Sequence, residues 1–158
     1  ELKKEVLRLQ NHLKSLGVKK GDRICGLVPN APISTIGMLA TTSLGAIWSS
    51  ASPDFGVRGI LDRFEQILPK VLLTVDGYTF KGKEISILQT VEEVSNRLSD
   101  HSNSEFKQTI IYEFLQNEFD FGRISKPYRY SHIPIQSESN SIQYTPVSFL
   151  DPVYIMFS

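Results

Sequence analysis

The best candidate for a binding site in the sequence is the segment Lys81-Gly82-Lys83, in which two lysines flank a glycine. Two ammonium groups on a flexible turn can bind the phosphate groups of a ligand. The same three residues are also common on solvated surface turns. The spacing alone therefore leaves a phosphate site and an ordinary surface turn both open.

The other reactive side chains form no recognisable catalytic or metal-binding motif. None of the histidines has a carboxylate or a cysteine at metal-ligand spacing; they are His12, His101 and His132. Ser49, Ser50 and Ser52 are potential nucleophiles, but the sequence around them does not match Gly-x-Ser-x-Gly. Helix capping or hydrogen bonding near the end of a strand is the favoured role for these serines. The sequence therefore predicts no catalytic residue and no metal ligand in this chain.

The composition indicates one ordinary soluble domain. The chain has 158 residues, of which 41% are hydrophobic and 22% charged, and its 17 basic residues balance 17 acidic ones. This balance favours neither nucleic acid nor an anionic membrane as a partner. No apolar run approaches the roughly 20 residues of a membrane span. The single cysteine, Cys25, excludes an internal disulfide and lies in an apolar run, so a buried structural role is favoured over a reactive thiol.

The first half of the chain predicts alternating helices and strands. Apolar residues at helical spacing indicate a helix over residues 2–16, with Gly17 as its left-handed cap. The elements that follow are strand 24–28, helix 33–45 with Pro32 in its first turn, central strand 46–50, helix 57–68 capped by Asp54, and strand 71–75. Short connections between such elements are typical of an α/β fold with a parallel sheet and flanking helices. Small residues in helix 33–45 allow it to approach a sheet closely, so we expect this helix to be buried.

The second half is less regular. We expect a turn at Asp76-Gly77, a polar loop over 78–84, a short strand over 85–88 and a helix opened by a capping box from Thr90 to Glu93. A further strand is expected over 109–115. Residues 116–150 lack periodicity and predict an irregular surface excursion. An apolar run over 153–157 predicts a buried strand.

The two ends of the chain suggest a piece of a longer protein. Glu1 already lies inside a helical pattern, and Ser158 directly follows an apolar run. The alternative is a complete small domain with processed ends.

Three segments resemble the adenylate-forming acyl-CoA synthetase superfamily. They are GDRICGLVPN, GAIWSSASPDFG and ILDRFEQILPKVLLTVDGYTFKGK. The resemblance covers residues 1–98 and resumes at 151–158. Trp48 with its Ser-Pro-Asp-Phe-Gly run, and Gly82-Lys83 after Asp-Gly-Tyr, favour the branch that acts on acetoacetate.

The resemblance implies a ligase that works in two steps. ATP adenylates the carboxylate of acetoacetate and releases pyrophosphate, and the thiol of coenzyme A then displaces AMP. Mg²⁺ would offset the phosphate charge. The phosphate loop and a lysine of a C-terminal domain would follow Ser158. Residues 1–158 are then a partial N-terminal AMP-binding domain, inactive by itself and without a bound ligand.

The same resemblance assigns a role to the lysine turn. Gly82 and Lys83 match a loop that contacts the phosphates of coenzyme A in related synthetases. Phe80 stands where acetyl-CoA synthetases carry an arginine, and Lys81 is a possible substitute for that charge.

The implied partners are acetoacetate, ATP and coenzyme A, with neither nucleic acid nor a membrane, and the implied setting is lipid and ketone-body metabolism in the cytosol. Two alternatives stay open: a ligase for another short acyl chain, and a non-catalytic α/β binding domain. The sequence does not predict an oligomeric state.

Overall fold

The computed structural model describes residues 1–115, 118–135, 137 and 140–158 of the chain. Its helices are α1 (Leu2–Ser15), α2 (Pro32–Ser43), α3 (Val57–Ile67) and α4 (Leu88–Asp100). The strands are β1 (Arg23–Leu27), β2 (Ile47–Ala51), β3 (Val71–Val75), β4 (Gly77–Phe80), β5 (Lys83–Ser86), β6 (Gln108–Tyr112) and β7 (Pro127–Arg129). A 3₁₀ turn follows at Tyr130–His132. No helix in the described part of the chain combines the length and apolar character that crossing a membrane requires.

Five of the strands form one parallel sheet in the order β2-β1-β3-β6-β7. This confirms the predicted α/β class. The chain moves outward from β1 to β2 and then crosses back to β3, so right-handed connections place α2 and α3 on opposite faces of the sheet. Helix α1 packs on α2, and α3 packs on α4. The reversal puts the topological switch point of the sheet between β1 and β3.

The small residues of α2 allow the helix to lie close to the sheet. Trp48 on β2 is only 2% exposed, and its indole occupies a slot between Gly26 and Gly37. A Cβ atom at Gly26 would lie 2.4 Å from the indole, and one at Gly37 would lie 2.7 Å from it. The expectation that α2 is buried against the sheet is therefore confirmed.

Two predicted helix ends are right and two caps are wrong. Gly17 follows α1 with φ of +79°, and Pro32 is the first residue of α2. Helix α3 is preceded by Gly56 as its N-cap rather than by Asp54. Helix α4 begins at Leu88, so Thr90 lies inside it. Its N-cap is Ile87, directly after β5, and no side chain of the described residues caps the helix there.

The strand predicted to be central, β2, instead lies at one edge of the sheet. The order of strands along the chain does not fix their order in the sheet, and the return crossover to β3 leaves β2 at the edge. The run over 153–157 lies along that edge and forms one parallel bridge, between Trp48 and Tyr154. It is not buried as predicted, since Val153 is 54% and Met156 84% exposed.

Described parts of the range 116–150 contact the domain at several points, of which two illustrate how the segment is held. Strand β7 pairs with β6, although three residues are too few for periodicity to indicate a strand. Farther along, the buried Gln10 side chain donates to the Gln143 carbonyl at 2.6 Å and accepts from its N–H at 3.0 Å. The segment around Gln143 is thereby fixed across α1 and α2.

Candidate functional site

A cavity of about 320 Å³ lies at the carboxyl edge of the sheet, beside the switch point. Pro29 and Asn30 follow β1, and residues 52–54 follow β2. Tyr78 and Phe80 of strand β4 close the third side. Parallel α/β sheets bind ligands in the crevice outside the carboxyl ends of their strands at such a point. The cavity is therefore the first place to expect a ligand.

The predicted loop over 78–84 is a β-hairpin. Strands β4 and β5 pair in antiparallel register, with Phe80 opposite Lys83. The two residues between them, Lys81 and Gly82, have φ of +49° and +76°, as in a type I′ turn. Gly77, predicted as a turn residue, is the first residue of β4. The sequence did not indicate the hairpin, because the first residue of such a turn is usually Asn, Asp or Gly rather than lysine.

The hairpin presents its two lysines to solvent beside the cavity. Lys81 and Lys83 are both exposed, and Lys81 Nζ lies 5.3 Å from the centre of the Phe80 ring. Phe80 is itself 56% exposed and lines the cavity. Among the described residues, no carboxylate forms an ion pair with either lysine. The site thus combines an apolar wall with two available positive charges, which suits a ligand carrying phosphate groups and an apolar part.

The serines near the cavity have structural hydrogen bonds. Ser49 Oγ donates to the Ile155 carbonyl at 2.8 Å, and Ser50 Oγ lies 2.6 Å from the Tyr154 hydroxyl. Both bonds tie the C-terminal segment to the edge strand. These contacts confirm the favoured role of hydrogen bonding near a strand end. Ser52 lines the cavity.

Cys25 lies inside β1 and is fully buried. Burial raises the pKa of its thiol well above the usual value, and the nearby Arg23 only partly opposes this effect. A thiol in this state is a poor nucleophile. The prediction of a structural cysteine is confirmed.

The three histidines do not form a metal site. The ring of His12 stacks on that of Tyr128 with centroids 4.7 Å apart, and His101 accepts a hydrogen bond from the Asn103 N–H. His132 meets the edge of the Tyr128 ring. Across the described residues, no three His, Cys, Asp or Glu side chains are grouped to hold a metal ion.

A larger groove, of about 1320 Å³, lies between α1, the start of α2 and the residues after β6. The two arginines that line it already contact other parts of the chain. Arg8 donates to the carbonyls of Ile133 at 2.7 Å and Ser131 at 2.9 Å, and Arg129 stacks over Phe119 at 4.2 Å. Because these cations hold the irregular segment in place, the groove suits an anionic ligand less well than the hairpin does. Sequence analysis did not indicate the groove, since distant segments form it.

Comparison with known proteins gives one consistent result. The model of the AMP-binding enzyme family matches residues 1–158. The chain is 36% identical to an acetoacetyl-CoA synthetase from Caenorhabditis elegans over 99% of its length, and 48% identical over 62% of its length to an acetoacetyl-coenzyme A synthetase from Rhizobium meliloti. A solved structure of acetoacetyl-CoA synthetase from Streptomyces lividans superimposes with a TM-score of 0.86, at 34% identity and over 99% of this chain.

The chain is much shorter than these relatives. It spans 23% of the Caenorhabditis elegans protein, 15% of the Rhizobium meliloti protein and 23% of the Streptomyces lividans chain.

Proposed function

The chain belongs to the AMP-binding enzyme family, and from this we propose that it is part of an ATP-dependent acid–thiol ligase that makes acetoacetyl-CoA. The observation that supports the substrate is similarity to acetoacetyl-CoA synthetases along the whole chain. In this proposal residues 1–158 are the N-terminal part of a larger AMP-binding domain. The reaction belongs to lipid and ketone-body metabolism in the cytosol.

The proposed reaction has two steps. A carboxylate oxygen of acetoacetate attacks the α-phosphorus of ATP, and the bond to pyrophosphate breaks. The coenzyme A thiolate then attacks the carbonyl carbon of acetoacetyl-AMP, and AMP leaves with the electron pair of the broken bond. Mg²⁺ accompanies ATP in the complete enzyme. The described residues include no set of metal-binding side chains, so no step is assigned to a metal held by this chain.

We assign the hairpin to the second step, as the site for the phosphates of coenzyme A. The supporting geometry is the position of Lys81 and Lys83 next to the switch-point cavity. The backbone of Lys81 adds support, because glycine or asparagine adopts a φ of +49° more easily than lysine does. The backbone strain of a lysine at this position is consistent with a functional role for its side chain. Lys81 and Lys83 then neutralise phosphate charge while Phe80 contacts an apolar part of the ligand.

The proposal is tested on the complete protein encoded by the reading frame that contains these residues. We expect acetoacetate to support exchange of radiolabelled pyrophosphate into ATP, and addition of coenzyme A to yield acetoacetyl-CoA. Acetate and propionate should be poorer substrates. Preference for one of them would identify a different short-chain ligase, and no exchange with any acid would indicate a non-catalytic binding domain.

The 158-residue chain alone serves as the control. In calorimetry it should not bind ATP, and it should bind coenzyme A weakly or not at all, because most of the proposed contact surface belongs to the remainder of the enzyme.

A further inference from the structure

Asp76 joins the base of the hairpin to the end of a neighbouring strand. It lies between β3 and β4 and is 2% exposed. Its Oδ1 atom accepts hydrogen bonds from the backbone N–H groups of Phe114 at 2.8 Å and Leu115 at 3.0 Å. Hydrogen bonds to a carboxylate are stronger than those between neutral groups. We propose that Asp76 is a positioning residue that fixes the direction of the hairpin and so places Lys83 for coenzyme A, an inference that rests on the proposed function.

The backbone of Asp76 holds both ends of the hairpin. Its N–H donates to the Tyr112 carbonyl at 3.2 Å, which ties the start of β4 to the end of β6. Its carbonyl accepts from the Ile87 N–H at 3.0 Å and from Ser86 Oγ at 3.4 Å. The two ends of the hairpin therefore meet at the backbone of Asp76. The carboxylate of Asp76 in turn binds the segment after β6.

The hairpin depends on this anchor because it is a separate two-stranded sheet. An isolated hairpin is marginally stable in water, so its direction must come from its base. The base is tightly packed, since a Cβ atom at Gly77 would lie 2.4 Å from the Ile85 carbonyl oxygen and 2.5 Å from Leu115. Asp76 and Gly77 thus hold the hairpin against the 114–115 segment.

The two carboxylate oxygens differ, and the difference provides a sharp test. Oδ2 is buried and has no hydrogen-bond partner in the described part of the chain. Asparagine keeps an Oδ1 acceptor for the Phe114 and Leu115 N–H groups, although without the charge that strengthens these bonds. Alanine removes the anchor. The positioning role therefore predicts that Asp76→Asn preserves most of what Asp76→Ala loses.

The first measurement is hydrogen exchange on the complete protein. Asp76→Ala should speed exchange of the amides in β4 and β5 at least tenfold and leave those of β1 and β3 within about twofold, because the anchor is local. Asp76→Asn should exchange these amides at a rate between the two and closer to that of the unchanged protein, because it keeps the acceptor but loses the charge. Faster exchange throughout the parallel sheet in Asp76→Ala would overturn the inference, and so would an Asp76→Asn variant that behaves like Asp76→Ala.

The second measurement is kinetic. Asp76→Ala should raise the KM for coenzyme A about tenfold, a typical effect of losing hydrogen bonds to a charged group. It should leave acetoacetate-dependent pyrophosphate exchange within about twofold. Combining it with Lys83→Ala should add little to Lys83→Ala alone, since the two changes act through one group. Equal loss in both half-reactions, or fully additive effects, would overturn the positioning role.

Failure of the proposed site gives a different pattern. If Asp76→Ala loosens only the hairpin but neither it nor Lys83→Ala changes the KM for coenzyme A, the coenzyme A site is wrong, while the anchoring by Asp76 stands.

Discussion

The amino and carboxyl edges of the parallel sheet differ in the burial of their lysines. At the amino edge, Lys70 Nζ lies 2.8 Å from Asp22 Oδ2, and each side chain is only 10% exposed. Lys70 also donates to the Gly17 carbonyl at 3.2 Å. At the carboxyl edge, Lys81 and Lys83 are exposed on the tip of a hairpin. Lysines of the first kind stabilise the fold, whereas those of the second kind are available to a ligand.

The geometry of the sheet accounts for this difference. At the amino edge, the turn before β1 and the start of β3 lie side by side, so a carboxylate and an ammonium group meet away from water. At the carboxyl edge, the switch point separates the connections after β1 and β3 and leaves a cavity between them. A charge bordering such a cavity keeps its hydration until a ligand replaces the water.

The largest expected effect comes from comparing one lysine substitution at each edge. Lys70→Ala should lower the free energy of unfolding by roughly 3–5 kcal/mol, because the buried Asp22 carboxylate loses its cation and keeps only the Lys19 N–H as a partner among the described residues. Lys83→Ala should change it by less than about 0.5 kcal/mol, since that side chain is exposed. Urea unfolding of the 158-residue chain measures both, with fluorescence of the single, buried Trp48 as the probe.

Similar losses of unfolding free energy in Lys70→Ala and Lys83→Ala would show that lysines at the two edges contribute equally to stability. Lys14→Ala, which changes an exposed lysine on α1, is the matched surface control.

A smaller effect is expected at an exposed ion pair. Lys20 Nζ lies 2.7 Å from Asp151 Oδ2, and Lys20 is 47% exposed. Hydrogen bonds from Lys20 and from the Ser148 N–H lower the pKa of the Asp151 carboxyl below its usual 3.8. The pair therefore contributes to stability above pH 3.8, and this contribution is lost as the pH falls through the lowered pKa.

Lys20→Met should raise the pKa of Asp151 toward 3.8 and leave stability at pH 7 nearly unchanged, since an exposed pair contributes little. A carbon-13 NMR titration of the carboxyl group measures the shift. A pKa that stays equally low in the variant would assign the effect to the Ser148 N–H alone.

Local patterns in the sequence were enough to place the helices and strands of the first half along the chain. Apolar spacing and buried runs predicted β3 with its observed bounds, 71–75. They also predicted the ends of α1 and β1 to within about one residue. The small residues of α2 indicated close packing on the sheet. These features depend on residues near one another in the chain, which is why a single sequence reveals them.

Features that depend on distant residues were missed. The edge position of β2 follows from the direction of a crossover, and the exposure of residues 153–157 follows from their position outside that edge strand. The lysine turn was identified as a candidate site, but its hairpin geometry was not, because lysine is an unusual first residue for that turn. Asp76 was predicted only as a turn residue, and its anchoring role was missed because the N–H groups that its side chain binds lie 38 and 39 residues away.

The most direct test of the central claim compares the two half-reactions in a Lys83→Ala variant of the complete protein. We predict that the KM for coenzyme A rises about tenfold, because a charge-assisted contact with phosphate is lost. Acetoacetate-dependent pyrophosphate exchange should stay within about twofold of the unchanged enzyme, and Lys14→Ala should alter neither. Equal loss of both half-reactions in Lys83→Ala, or an unchanged KM for coenzyme A, would contradict the assignment of the hairpin to coenzyme A.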